Sequence, residues 1–221
     1  MPRWFQSLGR WFQPIRQLNR QHAPRIRKHL MSLDQADRYL RFGYVASDAH
    51  IERYVADIPF EQDCVLGVYN WRLQLIGMAH VAYSVDRDLA ACAEFGVSVS
   101  SASRGRGLGH RLFARAVTHA RNEGVQLMFI HALSENTAML KIARDAGATI
   151  EQEGGETDAY LRLPPATFDT RLSEMVEEQL ALTDYRLKRQ AQHFLSLLSE
   201  LQTRRQGGVT DPGNPDPPRS R

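Results

Sequence analysis

Arg104-Gly105-Arg106-Gly107-Leu108-Gly109-His110 is the stretch on which the reading of the chain turns. It lies between an apolar run ending at Val99, which reads as a strand, and a periodic run over 107–123, which reads as a helix. Three glycines in five residues let the backbone turn tightly and bring its N–H groups close to a ligand. A helix that starts there directs its first free N–H groups, and the positive end of its dipole, back into the loop. The product is a phosphate or pyrophosphate site built from main chain. Two common alternatives fail on spacing. A G-x-G-x-x-G fingerprint begun at Gly105 meets His110, and one begun at Gly107 meets Leu112, where the third glycine should stand. No G-K-[ST] follows, so a nucleotide-triphosphate loop is also excluded.

The 221 residues suffice for one domain with a sizeable core plus extensions. Hydrophobic content of 43% and charged content of 24% fit a soluble globular protein. No apolar run approaches the roughly 18 residues that span a bilayer, and the start lacks an unbroken apolar signal region. Cys64 and Cys92 sit inside apolar strand-like runs and read as reduced core residues, with no metal-ligand spacing around them. A cytoplasmic protein is expected. The net charge of +3 is uneven: residues 1–33 hold seven Arg and Lys and no acid. That asymmetry belongs to an N-terminal arm, and no nucleic-acid-binding face is expected.

Within the arm (residues 1–13), Trp4, Phe5, Leu8, Trp11 and Phe12 share one face of a short basic helix over 3–12, ended by Pro14. Such a helix packs on its own protein, on a second subunit, or on a membrane surface or partner. The domain itself is expected over 14–164. A strand over 14–19 and a helix over 21–33 come first, then Arg38-Tyr39-Leu40-Arg41-Phe42, then a helix over 47–58 capped by Ser47. Strands over 64–69, 73–83 and 90–99 form an antiparallel meander that feeds the glycine loop. The helix over 107–123 turns Leu108, Leu112, Phe113, Val117 and Ala120 to the sheet. A buried strand over 125–131, a helix over 135–146, and a hairpin of strands over 149–153 and 158–163 complete the order.

Past Pro164-Pro165, residues 167–204 read as one long amphipathic helix within a 165–205 segment. Its apolar positions include 168, 172, 175, 176 and 180, and from Leu187 the spacing through Ala191, Phe194, Leu198 and Leu201 has the 4-3 alternation of a coiled-coil seam. A homodimer through 167–204, or packing against the arm, is the expected use. Residues 206–221, with four prolines and three glycines, read as a disordered tail.

Arg104, Gly107 and Gly109 fill [QR]-x-x-G-x-[GA], and together with the order β-α-α-β-β-β-α-β-α-β-β the chain resembles the GNAT acetyltransferases. The resemblance implies an α/β (α+β) fold with a mixed, mostly antiparallel central sheet flanked by helices. It implies acetyl-CoA as co-substrate and an amine as acceptor. The pyrophosphate would take main-chain N–H groups of Arg104, Gly105, Arg106, Gly107, Leu108, Gly109 and His110. The pantetheine arm would pair with Val97 and Val99 and bond Asn136, which is also a good helix N-cap.

Acetyl transfer needs a neutral amine, because an ammonium has no lone pair for attack on a thioester. Glu94, in the apolar run Ala93-Glu94-Phe95-Gly96-Val97, is the expected base, and burial there would raise its pKa. The resemblance gives a Glu at this strand position the same role. Many members carry a tyrosine seven residues after the Asn to protonate the leaving thiolate; Ala143 stands there, with Tyr160 or His131 as substitutes. Glu135-Asn136 through Arg144, with Arg38 to Phe42 upstream, look most like the bacterial Pat-like protein acetyltransferase branch, which favours a protein lysine over a small-molecule amine. His80 reads as a packed strand residue or a wall of the acceptor pocket. A different class of function is a non-catalytic acyl-CoA-binding sensor or scaffold acting through the terminal helices.

Overall fold

The computed structural model describes residues 13–84, 92–153 and 156–206. The expected helix over 3–12, the Gly154-Gly155 turn and residues 207–221 lie outside the described residues. Seven strands, β1 (Ile15–Leu18), β2 (Cys64–Tyr69), β3 (Leu75–Tyr83), β4 (Cys92–Val99), β5 (Leu127–Leu133), β6 (Thr149–Glu153) and β7 (Glu156–Arg162), form one sheet in the order β1-β2-β3-β4-β5-β7-β6. Every neighbouring pair is antiparallel except β4 and β5. That single parallel pairing is short: Cys92, Ala93 and Glu94 meet Leu127, Met128 and Phe129, and the two strands pair no further. From Phe95 onward β4 keeps only its β3 neighbour, so the sheet splits along its middle.

Alternation along β2 buries both of its faces. Cys64, Leu66 and Val68 join a core under α4 (Leu108–Asn122) and α5 (Thr137–Asp145), where Leu112, Phe113, Ala116 and Leu140 are buried. Val65 and Tyr69 join a second core under α1 (Ala23–Met31) and α3 (Asp48–Asp57), with Ile26, Leu30, Ile51 and Val55. Phe95 of β4 meets Phe113 of α4 edge to face, with ring centroids 4.9 Å apart. Such a pair adds about 1 kcal/mol to the area that it buries.

One helix is absent from the expected order. Gln35–Phe42 forms α2, N-capped by Asp34, whose Oδ1 accepts from Asp37 N at 2.8 Å, and closed by Gly43 at φ +81°. Its caps make it a helix; it has no apolar core-facing stripe, and Asp37 is its one buried residue. Arg38 of α2 ties its surroundings together, donating to the carbonyls of Met31, Leu33 and Ala46. These bonds fix the ends of α1 and α3 around α2.

The long helix α6 (Phe168–Gln206) docks by charge. Arg115 of α4, with 4% of its side chain exposed, meets Glu174 at 2.7 Å, Glu177 at 3.2 Å and Glu178 at 3.8 Å. His119 Nδ1 adds a 2.6 Å contact to Glu174, and Arg16 of β1 lies 4.2 Å over the Tyr185 ring. The apolar residues Phe168, Leu172, Met175, Val176 and Leu180 are exposed, so this stripe of α6 is not used on the body of the domain. Among the described residues no helix is long and apolar enough to cross a membrane.

Removing Arg115 leaves three glutamates around a buried gap. Arg115→Ala is expected to cost about 3 kcal/mol, whereas truncating the exposed Glu177 costs less than about 0.5 kcal/mol. Urea unfolding followed by far-ultraviolet circular dichroism checks both, and equal effects would remove Arg115 as the anchor of α6.

Candidate functional site

The split in the sheet opens into a cleft of about 940 Å³, walled by α2, β4, the loop before α4, the end of β5 and α5. Along one wall runs the unpaired edge of β4, with Val97 and Val99. At its end stands the glycine loop. Gly107 takes φ +72° as the residue before α4, a left-handed conformation that would strain any side chain. No side chain caps this helix, so the N–H groups at its start remain for a ligand. Gly105, Gly107, Leu108, Gly109 and His110 all line the cleft, and Arg106 is exposed outside its lining. Arg104 also lines it, but its guanidinium is folded back. It pairs with the carboxylate of Asp37 and donates through Nε to the Val99 carbonyl at 3.3 Å. Its charge therefore locks the loop to α2 and β4.

Asn136 caps α5, accepting from Met139 N at 3.1 Å, and its Nδ2 donates to the Leu40 carbonyl at 3.4 Å across the cleft. Glu94 lines the same cleft, at the point where β4 and β5 part. It is exposed, not buried as its apolar neighbours suggested. Ala93 and Phe95 take the buried side of the strand, and the alternation turns Glu94 to the open side. Asp158 and His131 complete this end of the cleft, paired at 2.6 Å and both largely exposed. Tyr160 is not among the lining residues, and its hydroxyl donates to Glu151 at 2.5 Å. Ala143 is wholly buried in the core under α5.

Beside Glu94, on the same face of the sheet, stands a hydrogen-bonded chain that sequence reasoning did not assemble. Asp63 Oδ2 lies 2.8 Å from His80 Nε2, His80 Nδ1 lies 2.8 Å from Tyr54 Oη, and Tyr54 Oη lies 2.9 Å from Arg41 Nη2. A carboxylate only accepts, so His80 carries its proton on Nε2 and Nδ1 accepts from the Tyr54 hydroxyl. The Tyr54 oxygen then accepts from Arg41. Burial lowers the His80 pKa, against the opposing pull of Asp63. Burial likewise raises that of the Tyr54 phenol, opposed by Arg41. His80 is thus packed, as one reading of its strand position had it. The signal for Arg41 was readable as the Asp34 cap and the Gly43 stop of α2, which fix the face that it occupies.

On the adjoining stretch His29 of α1 binds β3 and β4 together. Its Nδ1 donates to the Leu75 carbonyl at 3.1 Å, and Nε2 accepts from Ser98 Oγ at 2.9 Å. Burial is the main cause of a pKa lowered to about 4, against the raising effect of these two bonds.

Residues 14–149 match the family model described as an acetyltransferase (GNAT) domain. No curated protein matches the chain. Several solved structures are similar. The GNAT domain of PAT from S. lividans is 21% identical, with TM-score 0.58 over 67% of this chain and 89% of that one. The putative acetyltransferase yncA from Salmonella typhimurium, solved with acetyl-CoA, is 17% identical, with TM-score 0.55 over 71% and 96%. The ribosomal-protein-alanine N-acetyltransferase from Brucella melitensis is 18% identical, with TM-score 0.54 over 67% and 99%.

His29 also sets a pH dependence. Its folded pKa of about 4 lies below the ordinary 6.5, so the unfolded chain binds the proton first as pH falls. Its contribution is therefore complete above pH 6.5 and is lost toward pH 4, about 3 kcal/mol in all. Urea midpoints across this window should fall less steeply in His29→Gln than in the parent, and parallel curves would exclude His29 as the cause.

Proposed function

The chain belongs to the GNAT acetyltransferase family, and we propose that it is an acetyl-CoA-dependent N-acetyltransferase using direct transfer to an amine. A protein lysine is the favoured acceptor, and a small-molecule amine comes next. The observation that carries the reading is the unpaired edge of β4, which leads to an uncapped helix start at one end and to Glu94 at the other. An extended arm ending in a pyrophosphate fits that shape, since the edge offers strand-like partners and the helix start offers N–H donors.

Main-chain groups at Val97 and Val99 hold the pantetheine arm, with Asn136 opposite. The N–H groups from Leu108 to His110 hold the pyrophosphate, and the Arg104 to Gly107 turn shapes that cradle, with Arg106 adding charge from outside. Acetyl-CoA supplies an acetyl group activated as a thioester. Glu94 takes the proton that the acceptor ammonium must lose, directly or through one water. Its exposure places it within reach of an acceptor entering from solvent, and the nearby carboxylate of Asp158 adds a negative field that suits a cationic amine. The lysine preference rests on the likeness of the 135–144 and 38–42 stretches to the Pat-like branch.

A second reading, an acyl-CoA-binding scaffold without turnover, is favoured by one observation. The exposed stripe from Phe168 to Leu180 leaves α6 with an unused apolar face. A second copy of the chain is the occupant proposed for it, because the seam spacing continues from Leu187 to Leu201 in the same helix.

Turnover of acetyl-CoA, read as free-thiol release with a panel of lysine peptides and small amines, tests the first reading beside calorimetric CoA binding. Glu94→Gln is expected to lower kcat by about 100-fold while the CoA dissociation constant stays within about threefold. A parent that binds CoA but releases no thiol with any amine would leave the scaffold. For the scaffold, Met175→Glu with Leu180→Glu should convert a dimer to a monomer in sedimentation without changing CoA affinity. A parent that is already monomeric would remove it.

A further inference from the structure

Arg41 stands out among the cations of the cleft because no carboxylate neutralises it. Arg104 is paired with Asp37, and Lys141 with Asp145. Arg41 makes no ion pair with Glu94 or any other acid among the described residues. Nη2 is engaged by the Tyr54 hydroxyl at 2.9 Å, while Nε is buried and has no hydrogen-bond partner among the described residues. A half-buried guanidinium left in this state is costly unless an anion comes to it. Its placement is enforced from several sides. Its guanidinium carbon lies 5.1 Å from the centre of the Phe42 ring and 5.5 Å from that of Tyr54. Tyr54 is itself fixed through His80 to Asp63.

On the remaining side the guanidinium rests on the main chain of β4. A Cβ built at Gly96 would lie 2.7 to 2.8 Å from its carbon and nitrogens, so this approach exists only because residue 96 is glycine. Gly96 falls two residues from Glu94, on the unpaired edge where β4 has left β5. This inference rests on the reading of the cleft as the acetyl-CoA site. With the pyrophosphate at the start of α4 and the arm running past Val99 and Val97, the sulfur end arrives at Gly96, beneath Arg41.

We propose that Arg41 is the cationic site for the sulfur of CoA, stabilising the thiolate that departs as the acetyl group moves to the amine. In that transfer the amine nitrogen forms its bond to the acetyl carbon and the carbon–sulfur bond breaks. The bonding pair stays on sulfur; of the two protons that the acceptor ammonium loses, the first goes to Glu94 before attack and the second leaves the nitrogen to solvent water as the carbon–sulfur bond breaks. The guanidinium keeps its own protons throughout and meets the new charge on sulfur. It thereby fills the role left open by the buried Ala143, which has no proton to give. Glu94, Tyr54, His80, His29 and Asp63 are the other titratable groups around Arg41, and of these the acids are held apart from it or engaged by His80.

The test reads the thiol directly. Ionisation of CoA bound to the full-length chain is followed by thiolate absorbance against pH, in the parent, in Arg41→Gln and in Gly96→Ala. The bound thiol should ionise at least one pH unit lower in the parent than in Arg41→Gln, a tenfold change in its acidity. Gly96→Ala, which keeps every charge but displaces the guanidinium, should lose a large part of that difference. In turnover, kcat of Arg41→Gln should fall by about 100-fold, with part of it restored by added guanidinium ion. CoA that binds with the same thiol ionisation in parent and Arg41→Gln overturns the assignment of Arg41 alone. Absence of CoA binding to the parent overturns the reading of the cleft and this inference with it.

Discussion

The parting of β4 from β5 after three paired residues is the constraint on which the rest of this molecule depends. A parallel pair that continued would bury its main-chain groups in the sheet and leave no edge. Because it stops at Glu94 and Phe129, the main chain of β4 from Phe95 to Val99 is left with one neighbour in place of two. Unpaired backbone groups at the centre of a sheet demand a partner. The split opens the cleft and leaves main-chain hydrogen-bonding groups of β4 facing it. The helices then follow: α4 starts at the far end of the edge, and residues of α2 and α5 wall the cleft that it faces.

Arginine does much of the fastening, and the surroundings of each one decide its role. Arg38 is consumed by carbonyls and an aspartate, and it fixes the ends of α1 and α3. Arg115 is consumed by glutamates and fixes α6. Arg104 is consumed by Asp37 and fixes the glycine loop. Each of these has its charge answered within the fold. Arg41 does not, although aromatic rings and a tyrosine hydroxyl hold it as firmly. The contrast separates a cation whose charge the fold answers from one whose charge it leaves open, and composition alone could not have drawn it.

Docking of α6 through Glu174, Glu177 and Glu178 shows how an amphipathic pattern can mislead. Its apolar positions suggest the face that would pack, yet they are exposed along Phe168 to Leu180. The buried arginine on α4 recruits the acidic face because a desolvated guanidinium gains more from carboxylates than from methyl groups. His119 joins the same cluster. Burial opposes its charge, but Cys64 and Glu174 outweigh that and raise its pKa to about 10, while its partner Glu174 is held near 2. The charged form of the pair is thus part of the joint.

By itself the sequence determined the strands, most of the helices and the glycine turn before α4, because these follow from local periods, glycines and caps. Gly107 before α4, Asn136 at the head of α5 and Ser47 at the head of α3 occupy the positions that their residue types imply. It missed α2, whose signal lay in Asp34 and Gly43 and not in any apolar stripe. It also buried Glu94, since the neighbours of a residue along a strand do not say which of its two faces is covered. Only the tertiary structure decided that, by packing α4 on the face that carries Ala93 and Phe95. Contacts between residues far apart in the chain were equally out of reach: Asp63, His80, Tyr54 and Arg41 come from four different segments. No local pattern encodes their distances, which exist only once the sheet and the helices of its second core have packed.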